Sequence, residues 1–419
     1  MAQSVGGCPV TCGAGAMRAV NPSRGRRIRL LVLAHTNRSP GARSVAINLL
    51  RVLATRFDDI DLTAVVPTGC DYEQIAGLLS ARAIWFDQKG SLARRLLFDQ
   101  IVLPRQVRSI RPDVILALGT IGMRKPGAPQ AILVQDPHFV YPSRHHGRMT
   151  MLQNLRYFVQ RRQVRHCLDQ IAMVYGQTST MLKRVRDAFQ PGVPGNLLPK
   201  AISVNVARSL NDTSAPPEFA PFGQCFRMIC LARYYPHKNL EGIVEVFRHF
   251  RKELHGAVVF ITIAPSQHPG ARRLLTSIER WGLSRQIVNI GPVEQSRIPS
   301  LFGHCHALFQ PTLMESFSAA YLEAMVLNLP VLTSDLDFAH EICGPAALYF
   351  DPWSPDSMMK AIVRIRENAD LRQSLLCAAR LRLAETHNYS WPDIADTLIA
   401  DLRRVVSRQA ANTKGVQTA

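Results

Sequence analysis

The sequence has no apolar run approaching the roughly 18 residues of a membrane-spanning helix, so no such helix is expected. Its opening segment has no continuous apolar stretch and no early basic cluster, so no secretory leader is expected either. The nine cysteines are scattered and odd in number, and no CxxC pair occurs. That pattern fits buried thiols in a reducing compartment rather than a disulfide framework. Cys8 and Cys12 with Cys225 and Cys230 are the one conceivable metal set, and none of their spacings favours it; no metal is expected. His145, His146, His304 and His306 likewise lack metal-ligand spacing, and are read as satisfied or solvated side chains. Acidic residues are scarce, 31 against 50 basic ones, which leaves a formal charge of +19. Such a chain attracts polyanions: nucleic acid, anionic lipid or phosphorylated substrates. No aromatic-interleaved basic motif or zinc knuckle is present, so nucleic acid is not the expected partner.

What is present is the material of a folded protein. The apolar fraction is 47%, and 419 residues are enough for two or three domains. Residues 1–26 are small, polar and basic-ended, and are expected to be a disordered tail. From 27 to 204, short unbroken apolar runs alternate with helix-length segments: RIRLLVLAH, DLTAVVPTG, RPDVILALG, QAILVQDPHF and QIAMVYGQT. Runs of that length and continuity read as parallel strands covered on both faces. Residues 205–224 are rich in Pro, Ser, Asn and Asp and read as a linker. The alternation restarts over 225–390, a helix follows at 391–407, and 408–419 reads as a tail. The expected fold is α/β, two doubly wound domains with a cleft between them.

Two stretches carry candidate chemistry. In LARYYPHKNLEG the strand is expected to end at Ala232, with Arg233 and Lys238 in the following loop and Asn239 capping the next helix. Ligands of open α/β sheets bind at the carboxyl ends of strands, where two cations beside a helix start suit a diphosphate. In PTLMESFSAAYLEAM, Glu315 and Glu323 stand eight positions apart around a Ser-rich turn. On one helix that spacing is about 12 Å, too far for two carboxylates flanking a scissile glycosidic bond. They are better placed to hold opposite ends of an elongated ligand. The first-turn N–H groups, Phe317 to Ala320, are free to receive phosphate.

Order and spacing over roughly residues 226–400 resemble the C-terminal half of family 4 (group 1) retaining glycosyltransferases of GT-B fold. The matching pieces are Arg233 to Lys238, Gly291 to Val293, and Pro311 through Glu315, Glu323, Ala324 and Met325 to Pro330 and Val331; GPAALYFDPWSPDSMMKAI and YSWPDIADTL also agree. The resemblance implies two Rossmann-like domains facing across a cleft, with the 391–407 helix crossing back to the first. It implies a hexosyltransferase using a nucleotide diphosphate sugar as donor, and no cofactor or metal. By this likeness Arg233 and Lys238 neutralise the diphosphate, Glu315 contacts the transferred sugar and Glu323 the ribose. Ser316, Phe317, Ser318, Ala319 and Ala320 offer the phosphate-binding turn, and Gly291 and Val293 border the base. The chain departs from the family pattern at Ser316 and Ser318, where glycines are frequent; serine is tolerable there only at negative φ. In the first domain the corresponding positions are Gly41, in place of a Gly pair, and Asp136 or His138, near the strand-end histidine of many relatives.

The stretch 143–167 carries six arginines and no acidic residue, with Leu152, Leu155, Phe158 and Val159 at helical spacing. It reads as an amphipathic helix with a solvated basic face, or as a surface resting on anionic lipid together with residues to 186. Trp281 and Trp353 read as packing residues. The expected acceptor is a saccharide or a lipid-linked saccharide, in cell-surface polysaccharide or glycolipid synthesis, and the expected location is cytoplasmic or the inner face of the plasma membrane. The alternative is a non-catalytic nucleotide-sugar or polyanion-binding protein on the same fold.

Overall fold

The computed structural model describes residues 27–79, 82–87, 97–190, 192–201, 216–386 and 389–417. The expected tail 1–26, with Cys8 and Cys12, and most of the expected linker lie outside them. The first sheet is built from β1 (Ile28–Leu33), β2 (Ile60–Pro67), β3 (Ala83–Phe86), β4 (Val114–Ala117), β5 (Gln130–Val134), β6 (Met173–Gly176) and β7 (Gly195–Leu197). They lie in the order β3-β2-β1-β4-β5-β6-β7, all parallel. The second sheet comprises β8 (Phe226–Cys230), β9 (Ala257–Ile261), β10 (Ile287–Asn289), β11 (Ala307–Gln310), β12 (Val331–Ser334) and β13 (Ala347–Phe350). Its order is β10-β9-β8-β11-β12-β13, again parallel throughout.

The central strands are continuous apolar runs because both faces are covered. Leu30, Leu31, Val32 and Leu33 are all buried, paired on one side with Leu62 to Val65 and on the other with Val114 to Ala117. The helix Pro40–Arg56 starts at a proline, which fits the first helical turn, and packs Val45, Ala46, Leu49, Leu50 and Leu53 inward. The C-terminal helix Trp391–Gln417 returns to the first sheet. Trp391, Ile394, Leu398, Ile399 and Leu402 join the core formed with Leu30, Val32 and Leu116. Asp401, buried there, accepts hydrogen bonds from Asn196 at 2.8 Å and Tyr175 at 3.3 Å. The helix runs on through residue 417, past 408, where a tail was expected. The described end of the Pro-rich stretch is packed rather than loose: Pro217–Phe222 is a 3-10 turn whose Phe219 is buried against Phe260, with ring centroids 4.1 Å apart.

The two sheets present the carboxyl ends of their strands to a common cleft, which is closed by direct contacts. Ser316 donates to Gln177 (3.2 Å) and accepts at its carbonyl from Thr178 (3.3 Å). Glu341 receives the N–H groups of Ser179 and Thr180 at the start of the helix Ser179–Phe189, and Asp337 binds Arg184 and Tyr141. Gly147, at φ +72°, lets the first domain touch the second: a Cβ there would lie 2.3 Å from the carbonyl oxygen of Pro236.

Candidate active site

The order of the second sheet reverses between β8 and β11, and the loops leaving those two strands carry the predicted residues. β8 ends at Cys230, two residues before the predicted Ala232. In the loop that follows, Arg233 is exposed and has no hydrogen-bond or ion-pair partner among the described residues. Lys238 closes a 3-10 turn, Pro236–Lys238, and its ammonium is ion-paired with the Glu315 carboxylate; both side chains are largely buried. The two loops are fastened together beneath that pair. The His237 carbonyl accepts from the Leu313 N–H at 2.8 Å and the Thr312 hydroxyl at 3.2 Å. Asn239 does not cap the next helix as expected. It sits in the left-handed region at φ +53°, and its side-chain amide donates instead to the Pro352 carbonyl at 2.9 Å.

Past Glu315 the chain turns through Ser316, Phe317 and Ser318 into the helix Ala319–Val326. Neither serine adopts positive φ, so the replacement of glycine carries no backbone strain. The N–H groups of Phe317, Ser318, Ala319 and Ala320 donate to no acceptor among the described residues, as the first turn of a helix dictates. One turn in, Glu323 is 9% exposed. Burial pushes its carboxyl above the ordinary carboxylate range, and the positive charge of Lys200 opposes that shift. Gly291 stands at φ +75° in the turn after β10, and Val293 packs on the core beside it.

Lys200 had no place in the sequence reading. It follows β7 in the first domain, and with Glu323 it lines a cavity of about 20 Å³. The walls also include Ser44 and Asn48 of the first helix, Phe317 and Ala319 of the turn, and Trp391 of the C-terminal helix. Part of Lys200 reaches solvent, but its ammonium is buried enough to lower its pKa, and Glu323 and then Glu315 pull it back up. No motif signals this residue, because its position depends on how the two domains meet.

The first-domain candidates separate. Gly41 lies in the exposed first turn of the helix Pro40–Arg56, with open space around it. Asp136 caps a short turn, accepting from the His138 N–H at 3.0 Å and the His138 ring at 2.7 Å. His138 stacks on Tyr157 with centroids 4.5 Å apart and meets His237 of the second domain edge-on at 5.0 Å. The histidines thus carry more than was expected of them. His145, His146 and His237 are buried at the domain junction, and the Nδ1 of His237 has no hydrogen-bond partner among the described residues. His237 is driven far below the ordinary histidine pKa by burial, helped by His138, Lys238 and His146. Trp353 also works at the junction, edge-on to His145 at 5.2 Å, while Trp281 is partly exposed under Arg248.

Among the described residues, no group of three His, Cys, Asp or Glu side chains is placed to hold a metal ion. Two wider hollows, of about 810 and 590 Å³, lie on the first domain. One is lined by Ile28, Asp113 and Ala172 at strand starts, the other by Arg108, Arg111, Arg124 and Lys125, and neither includes a predicted site residue.

The family model described as "Glycosyl transferases group 1" matches residues 216–382. That segment holds both loops of the site. Over that segment the chain is similar to the group 1 glycosyltransferases. Two curated relatives are each 26% identical to the chain. They are the O-antigen chain mannosyltransferase RfbU of Salmonella typhimurium, over 32% of this chain and 37% of the relative, and the O-antigen chain mannosyltransferase B of Escherichia coli, over 37% and 40%. The chain thus spans about two fifths of the length of those relatives. Among solved structures, HepE of Anabaena in complex with UDP and glucose superposes at TM-score 0.66, with 15% identity over 90% of this chain and 100% of that one. WaaG, a glycosyltransferase involved in lipopolysaccharide biosynthesis, superposes at 0.66, with 16% identity over 88% and 99%. These likenesses show the GT-B fold, with the match to group 1 glycosyltransferases lying in its second half.

Proposed function

We propose that the protein is a retaining glycosyltransferase, moving a sugar from a nucleotide diphosphate sugar to an acceptor hydroxyl. The observation that carries this is the Lys238–Glu315 pair at the reversal point of the second sheet, in loops that also carry Arg233 and four N–H groups with no partner among the described residues. The diphosphate lies against these donors, with the ribose at Glu323 and the transferred sugar at Glu315. As the bond from the anomeric carbon to the phosphate oxygen breaks, negative charge grows on the departing diphosphate, and Lys238, Arg233 and the helix start neutralise it. The acceptor oxygen bonds the anomeric carbon on the face the phosphate leaves, and its proton passes to a phosphate oxygen. Anomeric configuration is retained without a side-chain nucleophile. The two cations supply the charge that a divalent ion supplies elsewhere, so no metal or cofactor is required. The two curated mannosyltransferases and WaaG act in O-antigen or lipopolysaccharide synthesis, which supports a cell-surface polysaccharide or glycolipid as product.

Calorimetry with UDP, GDP and ADP, followed by donor turnover with the matching sugars, tests the reading. One nucleoside diphosphate binds, and Lys238→Ala and Glu315→Ala each lower kcat/KM by about 100- to 1000-fold. Silence with all three nucleotides, or full activity in Lys238→Ala, rules it out. Binding without turnover leaves a nucleotide-sugar-binding protein.

The acceptor side is proposed to face lipid. The basic helix Met151–Leu168 exposes its apolar positions as well as its arginines: Met151, Leu152, Leu155, Phe158 and Val159 are all exposed, beside Arg156, Arg161, Arg162 and Arg165. An amphipathic helix spends an open apolar stripe flanked by cations on an anionic bilayer surface. Its Tyr157 stacks on His138 at the cleft, so this docking brings a lipid-linked acceptor to the site from the inner face of the plasma membrane.

A further inference from the structure

We infer that Lys200 is a third diphosphate-binding cation, delivered to the donor site by the first domain. This rests on the donor reading of the second-domain site. Three features of the structure support it. Lys200 lines one cavity with Glu323, Phe317 and Ala319, so it faces both the carboxylate read as the ribose ligand and the backbone turn read as the phosphate cradle. Its charge is felt by both Glu323 and Glu315, the two ends between which a donor is stretched. And the chain that carries it, just after β7, belongs to the opposite domain from Arg233 and Lys238.

The consequence is a link between donor binding and domain closure. At about 20 Å³ the cavity has room for roughly one water molecule, so a diphosphate enters only with the two domains further apart. In the empty protein, Lys200 feels the charge of Glu323 and, less strongly, of Glu315. When the donor is bound, its ammonium turns to the phosphate oxygens instead, and the diphosphate then ties the first domain to the second. An ammonium–phosphate hydrogen bond is a charge-assisted contact, among the stronger ones available to a protein.

The test compares nucleoside, nucleoside monophosphate and nucleoside diphosphate of the base that the wild type prefers, by calorimetry, in the wild type, Lys200→Met and Lys200→Arg. Lys200→Met weakens the diphosphate by roughly 10- to 100-fold and leaves the nucleoside nearly unchanged, while Lys200→Arg recovers most of the loss. A structural role alone would weaken all three ligands together, and an unchanged melting temperature checks that the variant is folded. Equal diphosphate affinity in Lys200→Met overturns the inference. Tighter binding overturns it as well, since it would make Lys200 an obstacle to the donor rather than a ligand. If the wild type binds no nucleoside diphosphate at all, it is the donor reading that fails.

Discussion

At the scale of single residues, His237 is a ring held neutral by its burial and its neighbours. It is 8% exposed, its Nδ1 has no partner among the described residues, and His138, Lys238 and His146 all disfavour its protonation. Tyr235 stacks on its other side at 5.5 Å. His145 and His146 are lowered as well, again chiefly by burial. A histidine whose folded pKa lies below its unfolded one adds stability above about pH 6.5, and that stability drains away as the pH falls further. The unfolded chain binds the extra proton, so each such group costs up to about 1.4 kcal/mol per pH unit below 6.5. Glu323, with its raised pKa, acts in the opposite direction, stabilising at low pH and losing that contribution as the pH rises through its folded value. The melting temperature is therefore expected to drop between pH 7.5 and 5.5, and to drop less in His237→Gln. An equal drop in that variant would remove His237 from the account. None of this was legible in the sequence. His237 sits inside YYPHKNLEG, but only the meeting of two domains tells a buried histidine from a solvated one. Arg233, Lys238, Glu315 and Glu323 could be picked out because they share two short loop-to-helix segments whose spacing is local.

At the scale of elements, the start of the helix Ala319–Val326 is the part of the site made of backbone rather than side chains. Its contribution can be isolated with proline. Ser318 holds φ −97° and ψ 106°, the extended conformation a residue before proline prefers, and proline is well accepted at the first helical position. Ala319→Pro therefore removes one N–H at little cost to the fold. It is expected to weaken nucleoside diphosphate binding about 10-fold with the melting temperature within a few degrees of wild type. Undiminished affinity would mean that the phosphate does not rest on this turn. The strands were readable where both of their faces are covered, because coverage forces an unbroken apolar run, as in β1 and β8. The edge strands β3 and β7 were not named: Trp85 in β3 is exposed, and β7 is three residues long and half open. An edge strand imposes little pattern on its sequence. The Asn239 cap failed for a related reason: its backbone is left-handed rather than extended, its side-chain amide is fixed on a distant carbonyl at Pro352, and its oxygen caps no helix N–H.

At the scale of the molecule, four of the arginines behind the +19 charge lie on one helix. Arginine and apolar side chains are exposed together on the helix Met151–Leu168, while its inner residues Val164, Cys167 and Leu168 are buried in the first domain. The periodicity of 152, 155, 158 and 159 is visible in the sequence, but it gives no clue which face is covered. The structure turns that stripe outward. No helix among the described residues is long and apolar enough to cross a bilayer. Two forces would act together, burial of Leu155 and Phe158 among acyl chains and attraction of the arginines to anionic headgroups, the latter worth about 1 kcal/mol per charge near the surface. The protein should then sediment with vesicles containing about a third phosphatidylglycerol, bind far less to neutral phosphatidylcholine vesicles, and lose part of its binding in high salt. Replacing Leu155 and Phe158 together by Asp should abolish sedimentation and leave nucleoside diphosphate binding untouched, because neither side chain faces the donor cavity. Retained vesicle binding in that double variant would move the lipid surface elsewhere on the protein; loss of binding with an intact donor site would place the acceptor's entry beside His138 and Tyr157, at the mouth of the cleft.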